Sequence, residues 1–158
     1  MYYTFLYPYL NYCIEVWGTA SQLHINKLIV LQKKAIQIIT SSAFREHTEP
    51  LFKELGILNL KSIYIYRIGM FMFKCHINQA PAVCQDLFIA NTSIHSYETR
   101  TRHHLHVPKA KLLVFNNSVR VKGVAIWNKM LSLINVDCSI GVFKNCVKRI
   151  AGELLHLV

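Results

Sequence analysis

Leu58-Asn-Leu-Lys-Ser-Ile-Tyr-Ile-Tyr-Arg-Ile-Gly-Met-Phe-Met-Phe-Lys-Cys75 is the stretch that decides how this chain folds. Wound at about 100° per residue, it brings Arg67 and Lys74 within about 20° of each other and leaves apolar side chains on nearly every other bearing. Ile63, Tyr64, Ile68, Phe71 and Met72 form one face, and Ile65, Tyr66, Met70 and Phe73 form another. A helix apolar almost all round needs cover on both sides. The expected fold class is therefore mainly α, a helical bundle around a central apolar helix at about 59–77. Asn59 can cap its start, and Asn78 and Pro81 break it.

Working back from that helix, Thr48-Glu49-Pro50 reads as a helix start, with the threonine hydroxyl capping free N–H groups and Pro in the first turn. Gly56 ends that short helix. From Gln22 to Thr40 the pattern is amphipathic. Leu28, Leu31, Ala35, Ile36, Ile38 and Ile39 fall on one side, and Lys27, Lys33, Lys34 and Gln37 share an arc of about 120° opposite. Those lysines form either a solvated face or a phosphate-contacting one. Thr19 or Ser21 can cap this helix. Residues 2–17 are dense in aromatic and aliphatic side chains; Pro8 should kink or restart a helix there, and Gly18 should stop it in a left-handed turn.

Working forward, a short helical turn fits 82–88. Between Ile94 and Val121 the apolar period fades and basic, polar and β-compatible residues alternate. Arg100, Arg102, Lys109, Lys111, Arg120 and Lys122 stand there with His95, His103, His104 and His106, and Glu98 is the nearby acid. Such side chains neutralise phosphates, and Tyr97 offers a ring for stacking on an unpaired base. A well-solvated loop is the equal alternative. His104 to Val107 and Ser118 to Val121 are short enough to pair, so a small β-hairpin or an extended basic segment is expected at about 103–121. Helix resumes over Gly123 to Leu131, anchored by Trp127. Asp137 or Ser139 caps the last helix, where Phe143, Cys146, Val147, Ile150, Leu154 and Leu157 share a core-docking face opposite Lys144, Lys148, Arg149 and Glu153.

Composition narrows the function. The 158 residues carry 18 Lys and Arg against 8 Asp and Glu, a formal net charge of +10, which points first to nucleic acid and second to a membrane surface. Apolar residues make up 53%, high enough that some surface should meet a partner. Met1 to Ile14 carries no lysine or arginine but is too short to span a bilayer, and no membrane span is expected. Five cysteines without framework spacing suggest reduced thiols and an intracellular, cytoplasmic or nuclear, setting. No glycine-rich loop cradles a phosphate, no His/Cys spacing fits zinc, and Asp86 and Asp137 are the only aspartates, too few for two-metal catalysis. No catalytic residue, metal site or cofactor is expected.

Several ordered blocks carry a family likeness. Leu6-Tyr-Pro-Tyr-Leu-Asn-Tyr-Cys-Ile-Glu-Val-Trp-Gly18 with Leu31-Gln-Lys-Lys-Ala-Ile-Gln-Ile-Ile39 resembles the region just downstream of the palm in reverse transcriptases of non-LTR retrotransposons, the LINE-type and jockey-like elements. Ile94-His-Ser-Tyr-Glu-Thr-Arg100, Ser118-Val-Arg-Val-Lys-Gly123 and Trp127-Asn128 resemble the C-terminal extension of the same proteins. The resemblance implies a thumb-like helical segment at 1–44 and a post-thumb helical domain at 45–158 with its basic insert at 94–122. It makes Lys27, Lys33, Lys34, Arg100, Arg102 and Arg120 contacts to the backbone of RNA or DNA, an RNA/DNA hybrid included, that position without reading bases. The family's metal-binding aspartates would lie upstream of Met1, so the chain is expected to be catalytically incomplete, a fragment of an RNA-directed DNA polymerase whose missing palm is a further partner. Two departures stand out: Asn128 is followed by Lys-Met-Leu where the family often has Leu-Pro, and Gln37 stands where a basic residue is common. The alternative reading is a helical protein–protein interaction module with no nucleic-acid role. Peripheral attachment of Met1 to Trp17 to membranes is a third.

Overall fold

The computed structural model describes every residue except 44, 95–99, 110, 153 and 156–158. His95, Tyr97, Glu98, Glu153 and Leu157, singled out above, therefore lie outside the described residues. The described chain is mainly helical, and its residues form no strand beyond one isolated bridge. It divides into two compact units, Met1–Tyr64 and Ile65–Val158.

The first unit opens with a π-helical turn, Tyr2–Leu6, that passes at Pro8 into α1 (Tyr7–Asn11). Cys13 takes a left-handed conformation, φ 48°, and α2 (Ile14–Trp17) follows. Gly18 then ends that helix, but not in the expected left-handed turn: its φ is −63°. A Cβ at Gly18 would collide with Cδ2 of the Tyr64 ring, so close approach of an aromatic ring is what requires glycine there. Helix α3 (Gln22–Ile39) and α4 (Thr48–Glu54) pack on each other. His47 holds the cap position of α4, and Thr48, expected to cap it, is instead buried as the first helical residue. Gly56, at φ +61°, ends α4 in the left-handed turn that favours glycine.

Helix α5 (Leu60–His76) is the predicted apolar helix. Asn59 caps it, its Oδ1 accepting from Ser62 N at 2.9 Å, and Asn78, at φ 57°, turns the chain after it. Ile63, Tyr64, Ile65, Tyr66, Ile68, Met72 and Phe73 are buried, whereas Met70 and Phe71, one from each predicted face, are only half-buried like Arg67, and Lys74 is exposed.

The second unit takes α5 from Ile65 onward, then α6 (Ala82–Gln85), a 3-10 turn at Asn91–Ser93, α7 (Leu113–Asn116), a π-helical turn at Val119–Gly123, α8 (Val124–Leu131) and α9 (Ile140–Ile150). Phe73 stacks on Phe143 with centroids 4.0 Å apart, and Trp127 sits 6.1 Å from Phe143. Fully burying such rings contributes about 1.5–3 kcal/mol each. Gly69 allows the close packing of α5 on α8 and α9, since a Cβ there would lie 2.8 Å from Met130 Cε and 3.3 Å from Val147 Cγ1. On α9 the expected face docks: Phe143, Val147, Ile150 and, beyond the helix, Leu154 are buried, with Cys146 half-buried and Lys144, Lys148 and Arg149 outside. Ser139 is its cap.

The hairpin expected at about 103–121 does not form. Ser118 to Val121 is helical, with the N–H groups of Val121 and Lys122 donating to Ser118 O at 3.1 and 2.9 Å. Buried Gly123 explains the difference. A Cβ there would lie 3.7 Å from both Ile68 Cγ2 and Met72 Sδ, so this turn is packed against α5. That burial outweighs the strand preference of Val-Arg-Val, which spans only about 1 kcal/mol.

Candidate nucleic-acid interface

Two sets of cations were expected at the interface, and they are built differently. In the first unit, Lys27, Lys33 and Lys34 project from α3 into solvent. The opposite stripe holds them there, and it overlaps the expected apolar stripe only in part: Ile36 is buried and Leu28 and Ala35 half-buried, as the pattern suggested. Ile25, Gln32 and Ile36 are the buried residues of α3, whereas Leu31 and Ile38 are 58% and 78% exposed. The spacing i, i+7, i+11 explains the choice, because those positions fall close to one bearing. Ile36 joins Tyr2, Leu51, Phe52 and Ile57 in one apolar cluster.

Gln32 is the residue that sequence reasoning missed. Its Nε2 donates to Tyr2 Oη at 2.7 Å and to Leu58 O at 3.0 Å, and its Oε1 accepts from Leu60 N at 2.9 Å. One carboxamide thus ties the N-terminal turn and the start of α5 to α3. A buried polar group is stable only when paired in this way. Its sequence signal was a lone amide at helical spacing between Ile25 and Ile36. Burial pushes Tyr2 up to about 12, against the smaller opposing effect of the bond from Gln32. Burial likewise raises Tyr64 to about 12, with the Glu15 charge adding to it.

The lysine face borders two shallow grooves. Val30, Lys33, Lys34, Gln37, Glu46, His47 and Thr48 line one of about 270 Å³. Lys34 and Gln37, with Ile38, Ser41 and Ser42, line the other, of about 350 Å³. Two ammonium groups, amide and hydroxyl donors and an exposed surface suit the oxygens of a phosphodiester backbone; the Glu46 carboxylate opposes them. Gln37, at the position where a basic residue was noted as common, donates instead to Glu46 O at 3.0 Å. Lys27, two turns before Lys34, borders neither groove but stands close to the same bearing.

In the second unit, Arg100, Arg102, Lys109, Lys111 and Arg120 are exposed and Lys122 is half-buried. They do not share one element. Arg100 and Arg102 lie in an irregular turn, Lys109 and Lys111 flank residue 110, and Arg120 sits in the π-helical turn with its guanidinium carbon 5.7 Å from the centroid of Phe115. Leu105 bridges to Ala90, Asn91 N donates to His104 O at 3.0 Å, and His106 N donates to Ile89 O at 2.7 Å. Asn91 Nδ2 donates to Thr101 O at 2.9 Å. The strand expected at 104–107 does not form; one isolated bridge, Leu105 to Ala90, stands in its place, flanked by the bonds to 89–91.

No three His, Cys, Asp or Glu side chains among the described residues converge to hold a metal ion. Burial, and secondarily Cys84, pushes the Cys75 thiol up to about 11, opposite to what activates a nucleophile. No described helix is long and apolar enough to cross a membrane. No protein-family model, curated protein or solved structure matches this chain.

Proposed function

We propose that the chain is the thumb and post-thumb portion of a non-LTR retrotransposon reverse transcriptase, catalytically incomplete by itself, that holds the sugar-phosphate backbone of a template–primer hybrid. The observation that carries the reading is the solvent-facing Lys27, Lys33 and Lys34 on one long helix, bordered by amide and hydroxyl donors, in a chain of net charge +10. The ordered sequence blocks described above supply the family. Backbone contacts from Lys and Arg carry affinity without sequence choice.

Fluorescence anisotropy with a labelled RNA/DNA hybrid across a salt series tests it. Log affinity should fall linearly with log salt, by roughly 0.7–0.9 per phosphate neutralised. Binding that ignores salt, or no binding at low salt, removes the proposal.

A second reading, a helical interaction module, is favoured by one observation. Tyr3, Phe5, Tyr9, Tyr12 and Val16 are each more than half exposed near the N-terminus, an apolar surface of the kind that docks a partner. Sedimentation velocity separates the two: concentration-dependent self-association unaffected by the hybrid supports the interaction module.

A further inference from the structure

Leu105 is held by a side chain as though by a neighbouring strand. Its N–H donates to Asn128 Oδ1 at 2.9 Å, and Asn128 Nδ2 donates back to its C=O at 2.8 Å. In an extended chain, successive residues direct their backbone groups to opposite edges. The bonds here obey that alternation: Leu105 faces Asn128, while His104 O and His106 N face 89–91. The carboxamide of Asn128 therefore stands where a third strand would be, supplying one donor and one acceptor in a plane. A purely apolar side chain offers neither, and a single hydroxyl cannot present both in that plane.

The position of Asn128 gives this pairing a consequence. It follows Trp127, which is buried 6.1 Å from Phe143, so its backbone is fixed by the core of the second unit. The turn that carries Arg100 and Arg102 runs directly into this pairing: His104 N and Asn91 Nδ2 both donate to Thr101 O, and the edge held by Asn128 begins at the next residue, Leu105. We infer that Asn128 is a positioning residue for the cationic turn: through Leu105 it sets where Arg100 and Arg102 stand, and with them the second set of backbone contacts. The inference rests on the proposed nucleic-acid reading and adds the residue that governs half of that site.

A double-mutant cycle in the full chain tests it, again with the labelled RNA/DNA hybrid. R100A/R102A and N128A should each weaken binding, on the order of tenfold at low salt, and lower the salt slope alike. The combined variant should be no weaker than R100A/R102A alone, because both changes remove one contribution. K33A/K34A should weaken binding by the same factor with or without N128A. Trypsin should cut after Arg100 and Arg102 faster in N128A while amide exchange at Phe143 and Val147 stays slow. Should N128A lose its helical circular dichroism, N128L, close in volume and lacking both hydrogen bonds, replaces it with the same expectation. Wild-type affinity in a folded N128A or N128L, or full additivity with R100A/R102A, overturns the inference while leaving the binding proposal standing, provided K33A/K34A still weakens the complex. A wild-type chain that binds no hybrid removes both.

Discussion

The two cationic regions differ in what aims their side chains. On α3 the helix itself does so: once Ile25, Gln32 and Ile36 are buried, the bearings of Lys27, Lys33 and Lys34 follow from 3.6 residues per turn. From Arg100 to Lys122 no single helix sets the bearings. Asn91, Asn128 and the bridge at Ala90 hold one part, and the packing of Gly123 on α5 holds another. A regular element turns spacing into direction by geometry alone. An irregular one needs a tertiary bond for nearly every residue it places, so its charge pattern is the easier of the two to disrupt.

The bluntest way to break the comparison is to remove the floor of the second unit. Phe143→Ala deletes the ring stacked on Phe73 and in contact with Trp127. It should cost about 3–5 kcal/mol in urea denaturation, and the binding contributed by Arg100 and Arg102 should go with it. The matching change beneath α3 is Gln32→Leu, which strips the partners from Leu58 O, Leu60 N and Tyr2 Oη at once. Roughly 2–4 kcal/mol of destabilisation is expected, less any gain from the buried leucine. A loss below about 1 kcal/mol would show that the Gln32 bonds do not hold α3 in place.

Alkaline pH is a milder lever on the same unit. Tyr2 and Tyr64 are raised to about 12 in the fold and titrate near 10 when unfolded, so the native state binds the proton more tightly. Their contribution is therefore intact below pH 10 and is lost as pH rises from about 10 to 12, at most about 2–3 kcal/mol for each ring. Tyr64 Oη is buried with no hydrogen-bond partner among the described residues, so Tyr64→Phe should leave neutral-pH stability nearly unchanged and shrink the alkaline loss. A Tyr64→Phe protein that loses stability equally between pH 10 and 12 would trace that loss to other groups.

The smallest effect on stability should come from the cations themselves. Lys33→Ala and Lys34→Ala, like Arg100→Ala, change exposed residues and should shift stability by no more than about 0.5 kcal/mol. Each should still lower the salt slope of hybrid binding by roughly 0.7–0.9. Equal slopes before and after substitution would take that residue off the interface.

Much of the helical architecture was legible from residue order. The apolar run ending at Cys75 could only be a covered helix, Asn59 and Asn78 marked its ends, and the Phe143-Val147-Ile150 spacing named the buried face of α9. Where a local signal competed with packing, packing prevailed. The β-preferring Ser118 to Val121 became helical against α5, and Thr48 was drawn into the core and left the cap to His47. Gly18 was read as a turn former, yet it serves a close contact with Tyr64. The candidate interface divides the same way, since the α3 lysines follow from periodicity whereas the support of Arg100 and Arg102 depends on partners far along the chain.

By itself the sequence determined a mainly helical chain, a strong positive charge and the outward bearing of the α3 lysines, because propensity, net charge and helical period act over a few residues at a time. Only the tertiary structure decided that Gln32 would tie three segments together, that Leu105 would pair with Ala90 on one edge and Asn128 on the other, and that Val119–Gly123 would coil. Those outcomes depend on burial and on hydrogen-bond partners 15 to 30 residues away. No window of neighbouring residues contains them.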